Sequence, residues 1–222
     1  MFQLYDLRTL YEICPAERQL KHSNTSSMNH LAHCFLSFGD EDVLLGNFIG
    51  DFVKGKEWQR YPAPVQTGIL LHRAIDSFTD NHAATDQSVR RIRSLAGRYA
   101  PPLVDILYDH LLALHWDRYS DLSFDAFAEQ TYVQLHNRAS EMPPVLAERL
   151  PRMLDGRFLH GYTVREGLDW VLNRFSLRIP AKFDPIILSE AFFGDLEGFS
   201  EDFNAFFPDL IRESKHFLQQ NK

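Results

Sequence analysis

Cysteine is nearly absent: Cys14 and Cys34 are the only two in 222 residues, too few for a disulfide framework and without the C-x-x-C spacing of a thiolate metal site. That scarcity fits a reducing compartment. Long apolar runs are missing as well. The most hydrophobic stretch, VLLGNFIGDFV, is broken by Asp51 well short of the roughly 18 to 20 residues a bilayer span needs. The opening MFQLYDLRTLYEI carries Asp6, Arg8 and Glu12 where a secretory signal needs an unbroken apolar segment, so a cytoplasmic chain is expected. A net charge of −7 argues against the broad basic surface that nucleic acid requires. Also missing are the G-x-S-x-G elbow, the G-x-x-x-x-G-K-[ST] phosphate loop, G-x-G-x-x-G and H-E-x-x-H. Alternating β-branched runs bounded by turn pairs are lacking too, and no repeat of solenoid length is apparent.

What remains is a well-mixed globular composition, 45% hydrophobic and 24% charged, which excludes a disordered chain. Helical periodicity covers 41–54, 64–80, 83–98, 102–119, 124–139, 144–154 and 163–176. A Phe-rich acidic stretch over 184–219 follows, with a break expected near Pro208. Asp40, Thr85, Ser123 and Thr163 can cap helix starts, and Pro64, Pro102 and Pro144 suit first-turn positions. The fold class is therefore all-α, a single-domain helical bundle over 28–222. The polar run 21–27 ahead of Met28 marks residues 1–27 as an N-terminal extension or flexible arm.

Inside these helices lie polar groups that need explaining. His72, Asp76 and Asp80 follow one another at four-residue steps, so each lies one turn from the next and within about 40° in azimuth. Asn47 and Asp51 repeat the spacing, as do Asp105 and Asp109, with His110 adjacent. Carboxylates among leucines are costly unless paired, hydrogen-bonded or bound to metal. A single helical histidine is usually a satisfied core or surface side chain. The combination of His33, Asp51, His72 with Asp76, and Asp109-His110 on separate helices instead resembles the way bundles hold divalent ions. Mixed His and Asp donors suit Mn²⁺, Fe²⁺, Zn²⁺ or Mg²⁺, and such an ion favours phosphoester hydrolysis. Two basic clusters, Lys54, Lys56 and Arg60, and Arg90, Arg91, Arg93 and Arg98, read either as solvated faces or as docking sites for an acidic partner.

Met28-Asn29 with Leu31-Ala32-His33, Gly46-Asn47 leading to Asp51-Phe52-Val53 and Gly55, His72-Arg73 with Ile75-Asp76 and Thr79-Asp80, and Asp109-His110 with Trp116 together resemble bacterial acyl carrier protein phosphodiesterases. That family is regarded as a divergent branch of the HD phosphohydrolases. The resemblance runs from Met28 to about Arg178 and weakens through the Phe-rich end. It implies an HD-phosphohydrolase-like helical fold and a Mn²⁺-dependent hydrolysis that removes 4′-phosphopantetheine from the serine of holo acyl carrier protein. Family members begin near Met28, which agrees with reading 1–27 as an extension. HD enzymes order their ligands as His, an adjacent His-Asp pair, then Asp. This chain departs from that order, since His72 and Asp76 are three residues apart and its adjacent pair is the reversed Asp109-His110.

The resemblance then implies a metal shell of His33, Asp51, His72, Asp76 and Asp109, with His110 as general acid toward the serine oxygen and Arg73 neutralising phosphoryl oxygens. The acidic carrier would dock on Lys54, Lys56, Arg60, Arg90, Arg91 and Arg93. Two other readings stay open: an HD-type hydrolase of a nucleotide or other small phosphoester, and a helical interaction protein whose His and Asp side chains simply pair.

Overall fold

The computed structural model describes residues 29–180 and 183–221, and the expected arm over 1–27 lies outside the described residues. Among the described residues the chain is helical with no strand. A five-residue helix, α1 (Leu31–Phe35), leads to α2 (Glu41–Ile49), which Asp40 caps by accepting from the amides of Asp42 and Val43. The helix expected to reach residue 54 tightens after Ile49 into the 3-10 turn Gly50–Phe52 and then leaves helical geometry, with Gly55 at φ +53°. Pro64 stands in the first turn of α3 (Ala63–Asn81), where its missing N–H costs nothing. The start of α4 (Ala83–Ala96) is capped by His82, whose Nδ1 accepts from the amide of Ala84, and the expected cap Thr85 lies inside the helix. The chain continues as α5 (Ala100–Leu114), α6 (Phe124–Asn137), α7 (Pro144–Asp155), α8 (Arg165–Arg178), α9 (Pro185–Gly194) and α10 (Leu196–Gln220).

The break expected at Pro208 falls instead at Asp195, and α10 runs through the proline. An interior proline costs a helix about 3 kcal/mol. Here Phe199, Phe203, Phe206, Phe207 and Leu210 form one buried stripe on both sides of it, and each buried Phe or Leu contributes about 1.5–3 kcal/mol. The stripe outweighs the proline. It faces α4 and α5, where Ser88 donates to Asp202, the Tyr108 hydroxyl donates to Ser88, and Arg91 pairs with both Asp195 and Asp202.

Two apolar clusters fill the interior. The larger holds Leu31, Leu36, Leu71 and Ile75 with the aromatic stripe of α10; the smaller holds Cys34, Val65 and Ile69 with Phe48 and the inner face of α7. Helices α1 and α3 send side chains into both, so His33 and His72 lie along the seam between them. Helix α2 packs on α3 closely enough to bring Gly46 against Gly68. A β-carbon on Gly46 would stand 2.1 Å from the Val65 carbonyl oxygen, and one on Gly68 would stand 2.3 Å from that of Val43. No helix of the described residues is long and apolar enough to cross a membrane.

Because the obstacle at Gly46 is backbone, Gly46→Ala should cost about 3 kcal/mol or more of stability in urea unfolding. Gly194→Ala, with nothing within 4 Å of the new carbon, should be nearly neutral. Equal stability of the two variants would contradict the close α2–α3 contact.

Candidate metal centre

Helix α1 is too short to be stable alone, and its first free amides are satisfied from outside. Asp109, fully buried on α5, accepts from Leu31 N at 2.8 Å and Ala32 N at 2.9 Å. This anchors the turn that carries His33. Burial pushes the Asp109 carboxyl up to about 7, with the two amide hydrogen bonds holding it back.

Both imidazoles are oriented by one residue of α2. The Asn47 Oδ1 accepts from His33 Nδ1 at 2.7 Å, while its backbone oxygen accepts from His72 Nδ1 at 2.8 Å. Asn47 Nδ2 in turn donates to the His33 carbonyl at 2.7 Å, which fixes the side-chain amide in one orientation. Carbonyl oxygens only accept, so each Nδ1 must carry the hydrogen, which leaves each Nε2 lone pair as the ligand donor, that of His33 with Asn29 Nδ2 at 3.5 Å. The rings stack with centroids 4.1 Å apart. Gly50 makes room for this: a β-carbon there would lie 2.3 Å from the His72 ring.

Both Nε2 atoms face carboxylates. His33 Nε2 lies 3.4 Å from Asp76 Oδ1, and His72 Nε2 lies 3.3 Å from Asp76 Oδ2 and 3.4 Å from Asp51 Oδ1. Lone pairs aimed at carboxylates require a cation between them, either a proton or a metal ion. Without a metal the proton serves. Burial alone would lower His72, but hydrogen bonds to Asp51 and Asp76 outweigh it and hold the imidazole up to about 10. Burial would likewise raise Asp51 and Asp76, yet the histidines keep both below the usual carboxylate range. The spacing also suits a metal: ligand atoms about 2.1 Å from one ion lie about 3.0–3.4 Å from each other in octahedral or tetrahedral shells. His33, His72 and Asp76 converge in this way, and the residues fit a divalent ion. The imidazole side chains are 3% and 6% exposed against 44% for Asp76, so the centre opens to solvent on the Asp76 side.

The structure therefore brings together His33, His72, Asp76 and Asp51 and leaves other expected site residues elsewhere. Asp109, expected in the metal shell, has both oxygens engaged by α1 amides and lies outside the converging group of His33, His72 and Asp76. His110, expected as general acid, packs between Phe192 and Phe193 with Nδ1 donating to the Tyr162 carbonyl, in a separate aromatic pocket. Arg73 donates to the carbonyl oxygens of Val53 and Gly55, holding the loop after Asp51. In the expected docking patch, Arg90 pairs with Asp86, Arg91 with Asp195 and Asp202, and Arg93 donates to the Gly97 carbonyl. Lys54, Lys56 and Arg60 are exposed and form no ion pair among the described residues. The roles of Asn47 as orienting group and of Gly50 as its partner in packing were missed; the four-residue step from Asn47 to Asp51 was their one visible signal.

Fold and site together define an all-helical protein with a candidate His/Asp metal centre at a helical seam. The sequence profile of acyl carrier protein phosphodiesterases matches residues 28–210. A relative named acyl carrier protein phosphodiesterase from Klebsiella pneumoniae (strain 342) is 32% identical over 200 residues, covering 88% of this chain and 99% of that protein. One of the same name from Enterobacter sp. (strain 638) is 32% identical over 154 residues, covering 69% of this chain and 80% of that protein. No solved structure matches. The chain belongs to the acyl carrier protein phosphodiesterase family.

The protonated His72 gives the metal-free protein a pH signature. Its folded value of about 10 exceeds the ordinary 6.5, so its stabilisation is complete below 6.5 and is lost as pH rises toward 10. Asp51 and Asp76 lie below the ordinary 3.8, so their contribution is complete above that value and is lost in acid. In chelator, the melting temperature should therefore fall between pH 6.5 and 9, and a bound divalent ion should flatten that fall. A melting temperature independent of pH over this range in chelator would contradict the shared proton.

Proposed function

We propose that this protein hydrolyses the phosphodiester joining 4′-phosphopantetheine to the serine of holo acyl carrier protein, releasing apo carrier and 4′-phosphopantetheine, with Mn²⁺ as the working ion. The observation that carries this reading is the convergence of two oriented imidazole nitrogens on the Asp76 carboxylate in a member of this family. A bound divalent ion supplies Lewis acidity, neutralising phosphoryl charge and making water acidic enough to act as a nucleophile near neutral pH.

His33, His72, Asp76 and Asp51 hold the ion, and Asn47 keeps both rings in the ligating tautomer. Buried apolar residues behind the rings exclude water there, so the phosphodiester enters from the exposed Asp76 side. Mixed imidazole and carboxylate donors favour Mn²⁺ over ions that prefer thiolate. Arg73 fixes the loop that follows Asp51, and this loop presents Lys54, Lys56 and Arg60 to solvent. An acidic carrier docked on these three cations would bring its modified serine toward the adjoining centre. The acidic partners of Arg90 and Arg91 leave that helix face little free charge, so docking is assigned to the loop alone.

The test is incubation of the protein and Mn²⁺ with holo acyl carrier protein, followed by mass spectrometry of the carrier. Loss of the whole phosphopantetheine mass is expected, together with a KM raised about tenfold or more and a nearly unchanged kcat when Lys54, Lys56 and Arg60 are all changed to Glu. An unaltered carrier, or equally fast turnover of a generic small phosphodiester, would overturn the reading.

A further inference from the structure

The groups that meet at the metal centre are acceptors: two imidazole lone pairs and the carboxylates of Asp76 and Asp51. A phosphodiester is itself an anion whose phosphoryl oxygens only accept, so a hydrogen-bond donor beside the ion strengthens its hold. Arg73 turns its guanidinium to the carbonyls of Val53 and Gly55, and His110 lies in another pocket. The donor that does reach the centre is Asn29. Its Nδ2 stands 3.5 Å from His33 Nε2, the same nitrogen that lies 3.4 Å from Asp76 Oδ1. Asn29 is buried and stands just ahead of α1. Asparagine often caps a helix, but here the N-cap position of α1 is His30, and no side chain caps from it. The amides of His30, Leu31 and Ala32 are held instead by the Tyr162 hydroxyl and by Asp109.

A lone pair given to an ion no longer accepts a hydrogen bond. The Asn29 hydrogen directed at His33 Nε2 then loses its acceptor, whatever the second amide hydrogen does, and a buried donor left unmade is costly. An oxygen held at the same ion is the acceptor that replaces the nitrogen. We propose, on the phosphodiesterase reading above, that Asn29 is a substrate-binding residue whose Nδ2 donates to a non-bridging phosphoryl oxygen at the centre. Water takes that place when no phosphoester is bound. Negative charge stays on the non-bridging oxygens throughout displacement at phosphorus, so the contact serves binding and rate alike.

The test titrates inorganic phosphate into the Mn²⁺-loaded protein by calorimetry, for wild type, Asn29→Ala and the shape-matched Asn29→Leu. Both variants should bind phosphate about ten- to hundredfold more weakly, the range for one hydrogen bond to a charged group. Their Mn²⁺ affinity, from direct titration, should equal or slightly exceed that of wild type, since no amide hydrogen competes for His33 Nε2. On holo carrier protein kcat/KM should fall by a similar factor. Asn29→Gln, which keeps the donor on a longer arm, should recover part of both losses. Phosphate binding at wild-type strength in the two variants would overturn the assignment. So would a Mn²⁺ affinity lowered about tenfold or more, which would make Asn29 a ligand of the ion, or a wild-type protein that binds Mn²⁺ but no phosphate. If the phosphate pattern holds while wild type leaves holo carrier intact, the carrier reading falls, and Asn29 stands as the donor to another phosphoester.

Discussion

The side chain and carbonyl of Asn47 tie three helices to one point: α1 through His33, α2 through its own backbone, and α3 through His72. Each contact is buried and none is replaceable by solvent, because Asn47 has no exposed surface. Leaving a buried donor or acceptor unmade costs about 1–3 kcal/mol, so this network resists local rearrangement. Its more important effect is chemical. Two carbonyl-type oxygens occupy the Nδ1 atoms, and both Nε2 lone pairs must therefore point toward Asp51 and Asp76. The glycine contacts serve the same end, since Gly46 and Gly68 set the α2–α3 spacing and Gly50 leaves space for the His72 ring.

That geometry creates an electrostatic demand. Two imidazoles embedded between apolar clusters face carboxylates that are more exposed, and only a cation at their meeting point makes the arrangement favourable. A proton meets the demand in the metal-free protein and a divalent ion can replace it, with release of the proton. Family membership and site chemistry thus point the same way without either depending on the other. The centre opens to solvent on the Asp76 side, which is where a phosphodiester could reach it.

Helices were legible because their signals are local. Asp40, Ser123 and the first-turn prolines act within a few residues of where they stand. The fate of Pro208 was not legible, because the buried stripe that carries α10 through it depends on α4 and α5, far away in the chain. In the site, the His72–Asp76 pair could be read from its spacing, and His33 and Asp51 could be read as its companions. The anchoring role of Asp109 was not legible for a physical reason: a buried carboxylate must have a partner, and one of its partners is the amide of Leu31, 78 residues away. The pairing of Arg91 was hidden in the same way, as its acidic partners lie more than a hundred residues downstream.

The central claim is that two imidazole nitrogens, aimed by Asn47, ligate one divalent ion together with Asp76. Pulsed electron paramagnetic resonance of the Mn²⁺-loaded protein, with histidine nitrogens isotopically labelled, tests it directly. Coupling to two histidine nitrogens is expected, falling to one in His33→Ala and in His72→Ala. Tightly bound Mn²⁺ with no histidine nitrogen coupling, held by carboxylates and water alone, would contradict the account.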